Sequence, residues 1–155
     1  MSTTNLADEH ILVPIDGAVA SEHALEYATQ FPAAEITLLT VIDPYDIDPV
    51  SSGLQSPVGR AGMPGYSEEW YQRIKDQVSE MHSQLVEQSG LDKSTVSTLI
   101  KFGSPTRQIV ACVDEHEIDH VIMGNRGEDR LSRILLGSVT EGTIRRTTAV
   151  VTVIQ

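Results

Sequence analysis

The chain has 155 residues, 40% of them hydrophobic, one cysteine and a formal net charge of −11. This length suits a single globular domain, 1–155, that can bury about two-thirds of its unfolded surface. A lone Cys112 excludes an intrachain disulfide and a cysteine-rich metal site. With neither a secretory-type start nor a run of about 18 apolar residues, the expectation is a reducing, cytoplasmic setting and no membrane partner.

In chain order, Ile11-Leu12-Val13-Pro14-Ile15 reads as a strand buried on both faces. Pro14 is placed at its end, where a missing donor does least harm. Asp16-Gly17 forms the exit turn. Ala24, Leu25, Ala28 and Phe31 recur at helical spacing from about Val19 to Phe31, and Pro32 stops the pattern. Glu35 to Val41 is the second strand. Residues 43–65 hold four of the seven prolines and four glycines, a loop of unusual length for a compact domain. Ser67 then caps a helix whose stripe is Trp70, Ile74, Val78, Met81 and Leu85, ending near Gly90.

Thr95 to Lys101 alternates like a half-exposed edge strand. Gly103-Ser104-Pro105 starts a helix with Ile109, Val110 and Val113 facing inward. Asp119 to Met123 is the fourth strand, Ser138 to Arg146 a short helix, and Ala149 to Ile154 the fifth strand. Strands alternating with helices predict an α/β fold with a mostly parallel sheet covered on both faces.

The stretch V-I-M-G-N-R-G-E-D-R-L-S-R-I-L-L-G-S-V-T-E-G-T, Val121 to Thr143, is the chemical centre. Gly124 and Gly127 allow close backbone approach, and a helix opening at Gly137-Ser138 aims free N–H groups at whatever lies in front of it. Residues 124–146 carry five arginines and three acids, while the rest holds 19 acids against 6 bases. Such a balance argues against nucleic acid as a partner and permits a small anion at one basic spot.

With these residues in view, the chain resembles the universal stress protein family, ATP-binding subgroup, over essentially its whole length. Gly124-x-x-Gly127, nine residues and Gly137-Ser138 fit the family's nucleotide motif without a gap. I-L-V-P-I-D-G, A-L-E-Y-A, L-L-T-V-I-D-P, G-S-P and R-I-L-L-G-S-V-T-E match in order. The resemblance implies an adenine-nucleotide alpha-hydrolase-like fold, an open five-stranded parallel sheet of order 3-2-1-4-5. Its topological switch lies between the first and fourth strands, where Asp16 and Gly124 emerge.

The resemblance further implies ATP as ligand. The Gly124–Gly127 loop, with Met123 and Asn125, would wrap ribose and phosphates, and the Gly137, Ser138 and Val139 amides would hold the phosphates. Asp16 would lie near ribose or adenine, the Val41 backbone would read the adenine edge, and Pro14 and Ile15 would line the base pocket. Arg126 and Arg130 are added here as charge partners on sequence proximity alone. Mg²⁺ is the plausible bridging ion, with no protein carboxylate pair to hold it. The family also implies a homodimer through the C-terminal strand, 149–154, and an unidentified downstream protein partner.

Local alternatives stand beside each role. Ser138-Val139-Thr140-Glu141 is also a capping box, and Asp16 an ordinary turn residue. Trp70 and Met81 suit the core, Cys112 a buried small hydrophobe, and the five histidines show no metal spacing and receive no role. Ala18 stands where the family often has serine, and the last strand lacks the usual preceding proline. No P-loop or nucleophile elbow is present, so any ATP hydrolysis is expected to be slow. The competing readings are an AMP or other adenine-nucleotide sensor, and a nucleotide-free scaffold recruiting a partner through 43–65.

Overall fold

The computed structural model describes residues 9–31, 34–44, 67–125 and 136–155. In order these form β1 (His10–Pro14), α1 (Val19–Ala28), β2 (Glu35–Ile42), α2 (Glu68–Ser89), a 3₁₀ turn (Lys93–Thr95), β3 (Val96–Phe102), α3 (Pro105–Glu115), β4 (His120–Gly124), α4 (Ser138–Arg146) and β5 (Val150–Ile154). The five strands make one parallel sheet of order β3-β2-β1-β4-β5, as the resemblance implied.

Because side chains alternate across a strand, the sheet builds a core on each face. On one face Ile11, Val13, Ile15, Ile36, Leu38 and Ile122 pack with Ala24, Leu25 and Ala28 of α1 and Val86 of α2. On the other, Leu12, Leu39, Val121 and Met123 meet Ile109, Cys112 and Val113 of α3, with Val139 of α4 beside them. The central strands β1 and β4 are therefore apolar on both sides, whereas the edge strand β3 is half-exposed.

The helix ends follow local chemistry. Ser67 Oγ accepts the Trp70 N–H at 3.1 Å, and Gly90 ends α2 with φ +73°. The predicted first helix runs three residues too far. Gln30 and Phe31 donate to Tyr27 and Ala28, so the last turn tightens after Ala28. In α2 the fully buried row is Trp70, Ile74, Val78, His82 and Val86, with Met81 and Leu85 only flanking it. A strict four-residue row drifts about 40° per step around the helix, which lets it follow a twisted sheet. His82 thereby occupies a position expected to be apolar.

Candidate functional site

The two ladders beside β1 both stop at its C-terminal end, for different reasons. Toward β4 the pairing comprises only Ile11↔His120 and Leu12↔Val121. The next bond in that parallel register would run from the N–H of residue 14 to the Ile122 carbonyl. Residue 14 is proline and has no N–H to give. Pro14, expected at the strand end and in the base pocket, thus ends the β1–β4 ladder at the switch point.

Toward β2, five pairs are made and the last bond is Ile15 N–H to Leu39 O at 2.8 Å. The next would join the Val41 N–H to the Ile15 carbonyl. That carbonyl instead accepts the Thr40 hydroxyl at 2.7 Å. Ile42 faces β3, accepting the Gly103 N–H at 2.9 Å, so by alternation Val41 turns its N–H and C=O toward β1, beyond the last rung. Thr40 in turn lies 2.7 Å from His82 Nε2. The threonine has one hydroxyl proton, committed to Ile15, so Nε2–H must be the donor to it. His82 Nδ1 then bears a bare lone pair, and it is buried without a partner. Burial accordingly lowers the His82 pKa to about 4. The sequence reading gave no role to either residue; a histidine on an otherwise apolar helical row was the available signal.

Asp16 and Gly17 make the turn out of β1. Asp16 Oδ1 accepts the Ala18 N–H at 2.9 Å, and Gly17 adopts φ +85°, a conformation side chains resist. Ser21 Oγ, which donates to the Ala18 carbonyl at 2.8 Å, also accepts the Asp16 N–H at 3.4 Å. The turn reading of Asp16 is therefore realised, at the mouth of the crevice. Gly124 meets α1 here. A Cβ on it would lie 2.4 Å from the Ala20 carbonyl carbon, so its lack of a side chain seats α1 against the end of β4.

Across the crevice, Asn125 donates its N–H to Ile154 O and accepts the Gly137 N–H on Oδ1, each at 2.8 Å. The end of β4 and the start of α4 are thereby tied together. Gly137 is the N-cap of α4, and among the described residues no side chain caps the helix. The capping-box reading of Ser138 is corrected: Ser138 is the first helical residue, and Glu141 pairs with Arg145 at 2.8 Å instead. The first bond back into the helix is Glu141 N–H to Gly137 O, so the amides of Ser138, Val139 and Thr140 precede the ladder and are open to an anion.

Other proposed members fall into place or out of reach. Met123 is buried among α3 residues and can offer a ligand only its backbone, whereas Val139, partly buried, packs beside that cluster. Arg126, Gly127 and Arg130 lie outside the described residues. Burial pushes the Cys112 thiol up to about 11, with Glu115 nearby acting the same way, which suits a core residue and not a nucleophile. Among the described residues no three His, Cys, Asp or Glu converge as a metal site, and no helix is long and apolar enough to cross a membrane. Around the C-terminal ends of β1 and β4 the geometry brings together two features. On one side is a backbone donor–acceptor pair at Val41 with no partner among the described residues, and on the other a helix N-terminus that no described side chain caps.

Comparison with known proteins identifies the family and the fold. Residues 9–155 match the model of the universal stress protein family. Universal stress protein MJ0577 of Methanocaldococcus jannaschii is 32% identical over 154 residues, covering 94% of this chain and 93% of the relative. A solved structure of MJ0577 superposes with a TM-score of 0.71 at 28% identity, covering 94% of each chain. The universal stress protein of Archaeoglobus fulgidus, solved in complex with dAMP, shares the fold with a TM-score of 0.60 at 17% identity, covering 95% of this chain and 98% of the other. An Arabidopsis thaliana family protein solved with AMP bound shares it at 0.57 and 16%, covering 94% and 90%. The chain belongs to the universal stress protein family.

Proposed function

We propose that this chain binds an adenine nucleotide, ATP in our reading, in the crevice between β1 and β4 and uses it as a regulatory ligand. The observation that carries the proposal is the uncapped N-terminus of α4, fixed by Asn125 at the end of β4. Amides at a helix start favour phosphate oxygens through hydrogen bonds and the helix dipole. The Val41 N–H, a donor, and C=O, an acceptor, complement the alternating acceptor and donor that an adenine edge presents. Relatives of the same fold have been solved with dAMP and AMP, which supports the adenine. The phosphate motif that continues through Arg126, Gly127 and Arg130 supports a longer phosphate chain.

A bridging Mg²⁺ in this reading is held by phosphates and water, because Asp16, the carboxylate at the exit of β1, already accepts the Ala18 amide. Phosphoryl transfer needs a placed base and a metal clamp, and the described residues supply neither, so turnover is slow. We also assign a homodimer to β5. In that edge strand Val151 and Val153 turn their backbone groups away from β4, and Val150 is 62% exposed.

The deciding experiment is mass spectrometry of small molecules released from the purified protein, followed by calorimetry with ATP, ADP and AMP, with and without Mg²⁺. Release or binding of ATP in preference to AMP supports the reading. Preference for AMP makes it a monophosphate sensor. No nucleotide bound under any condition overturns it in favour of a scaffold.

A further inference from the structure

We propose that the buried His82–Thr40 pair is a positioning device for adenine recognition, which diverts the Ile15 carbonyl from the sheet and so keeps the Val41 N–H open to the ligand. The inference rests on the nucleotide reading above for its purpose, but its structural half stands alone.

In a parallel ladder the Ile15 carbonyl and the Val41 N–H are each other's next partners, since Pro14 pairs with Leu39 and Ile15 already donates to Leu39 O. That rung is not made, and in its place the Thr40 hydroxyl holds the carbonyl at 2.7 Å. A lone threonine hydroxyl could rotate to another acceptor. Here it cannot, because Nε2–H of His82 donates to its oxygen at 2.7 Å and fixes the direction of its own proton.

The pair is not what packing alone would select. His82 is 1% exposed, on a row shared with Trp70, Ile74, Val78 and Val86. Its Nδ1 has no partner. An apolar residue there would fill the core without an orphaned acceptor, and buried polar groups of this kind are unfavourable. The arrangement is explained if the carbonyl's diversion is what the site needs. One unzipped rung leaves a donor (Val41 N–H) and an acceptor (Val41 C=O) on one edge, side by side, at the head of the crevice that Pro14 opens on the other flank of β1.

The test uses Thr40→Val, which keeps the shape and removes the hydroxyl, Thr40→Ser, which restores it, and His82→Met, which fills the row without a donor. Two quantities are read: ATP affinity by calorimetry, and hydrogen exchange at the Val41 amide in nucleotide-free protein. In wild type the Val41 amide should exchange freely. In Thr40→Val the rung should close, slowing exchange at Val41 at least tenfold and weakening ATP at least tenfold. His82→Met should move both in the same direction and Thr40→Ser should return them toward wild type. A Val41 amide already protected in wild type, or unchanged in Thr40→Val, overturns the proposal. So does full ATP affinity in a Thr40→Val protein whose rung has closed. If wild type binds no nucleotide while Thr40→Val still protects Val41, the nucleotide reading fails and the device survives as a feature of the sheet.

Discussion

Asn125 accepts the Gly137 N–H at 2.8 Å across twelve residues, so one buried side chain sets where α4 begins relative to the end of β4. Replacing Asn125 with alanine removes the acceptor of a part-buried amide and should destabilise the fold by about 1–3 kcal/mol. Asn125→Asp separates scaffold from ligand. It retains the acceptor but places negative charge before the phosphates. Urea unfolding should stay within about 1 kcal/mol of wild type while ATP affinity falls at least about tenfold.

Ser138 offers a cleaner probe of the α4 amides. It occupies the first helical position after Gly137, whose ψ of 159° already suits a residue before proline. Ser138→Pro therefore deletes one N–H with little harm to the helix. Calorimetry should show ATP binding weakened by about 1–2 kcal/mol, with Ser138→Ala reporting the hydroxyl separately. Equal affinity in the proline variant and wild type would remove the helix start from the phosphate site.

Gly124 is predicted to fail for a reason unrelated to nucleotide. A methyl group there would collide with the backbone of Ala20, at 2.4 Å from the carbonyl carbon and 2.5 Å from the oxygen. Gly124→Ala should lose at least about 3 kcal/mol in denaturant unfolding, because the first turn of α1 must move off β4.

Those three positions show what could be read before the fold was known. Gly124 and Gly137-Ser138 could be picked out in advance, because a close backbone approach at the end of β4 and a helix start at α4 leave a local signature. The capping-box reading failed because Asn125 holds the Gly137 amide from another element, a tertiary contact that no pattern of neighbours encodes. Pro14 was correctly put at the end of β1, yet its effect depends on the register with Ile122, more than a hundred residues on. His82 was passed over for the same reason: its partner, Thr40, lies 42 residues away and looked like one more strand threonine.

His82 also predicts a pH dependence. Its folded pKa of about 4 lies below the ordinary 6.5, so the unfolded chain takes up the proton first as pH falls. Its share of stability is complete above about pH 6.5 and is lost between there and about pH 4, by up to about 3 kcal/mol. His82→Met should flatten that part of the curve. Urea midpoints from pH 7 to 4 for both proteins give the difference, and parallel curves would refute it.

For the dimer, Val153→Pro is the discriminating change. Residue 153 directs its N–H outward from β5, so proline removes an edge donor without breaking a bond to β4. Light scattering should show a dimer for wild type and a monomer for the variant, with circular dichroism retained. A wild-type monomer would end the assignment.

The short seam between β1 and β4 bears on how the molecule assembles. β1, β2 and β3 join in sequence through one crossover after another, and β4 and β5 form a second local unit. The described ladder between the two units has two residue pairs, and the bond between His10 N–H and Asp119 Oδ2 spans 109 residues. Closing so long a loop is entropically slow and little is returned by the ladder itself. The return comes from α1, whose first turn rests on Gly124 while its apolar side packs on β1. Helix α1 on one face, and α3 on the other, clasp the halves together, and the strands they hold part beside Pro14.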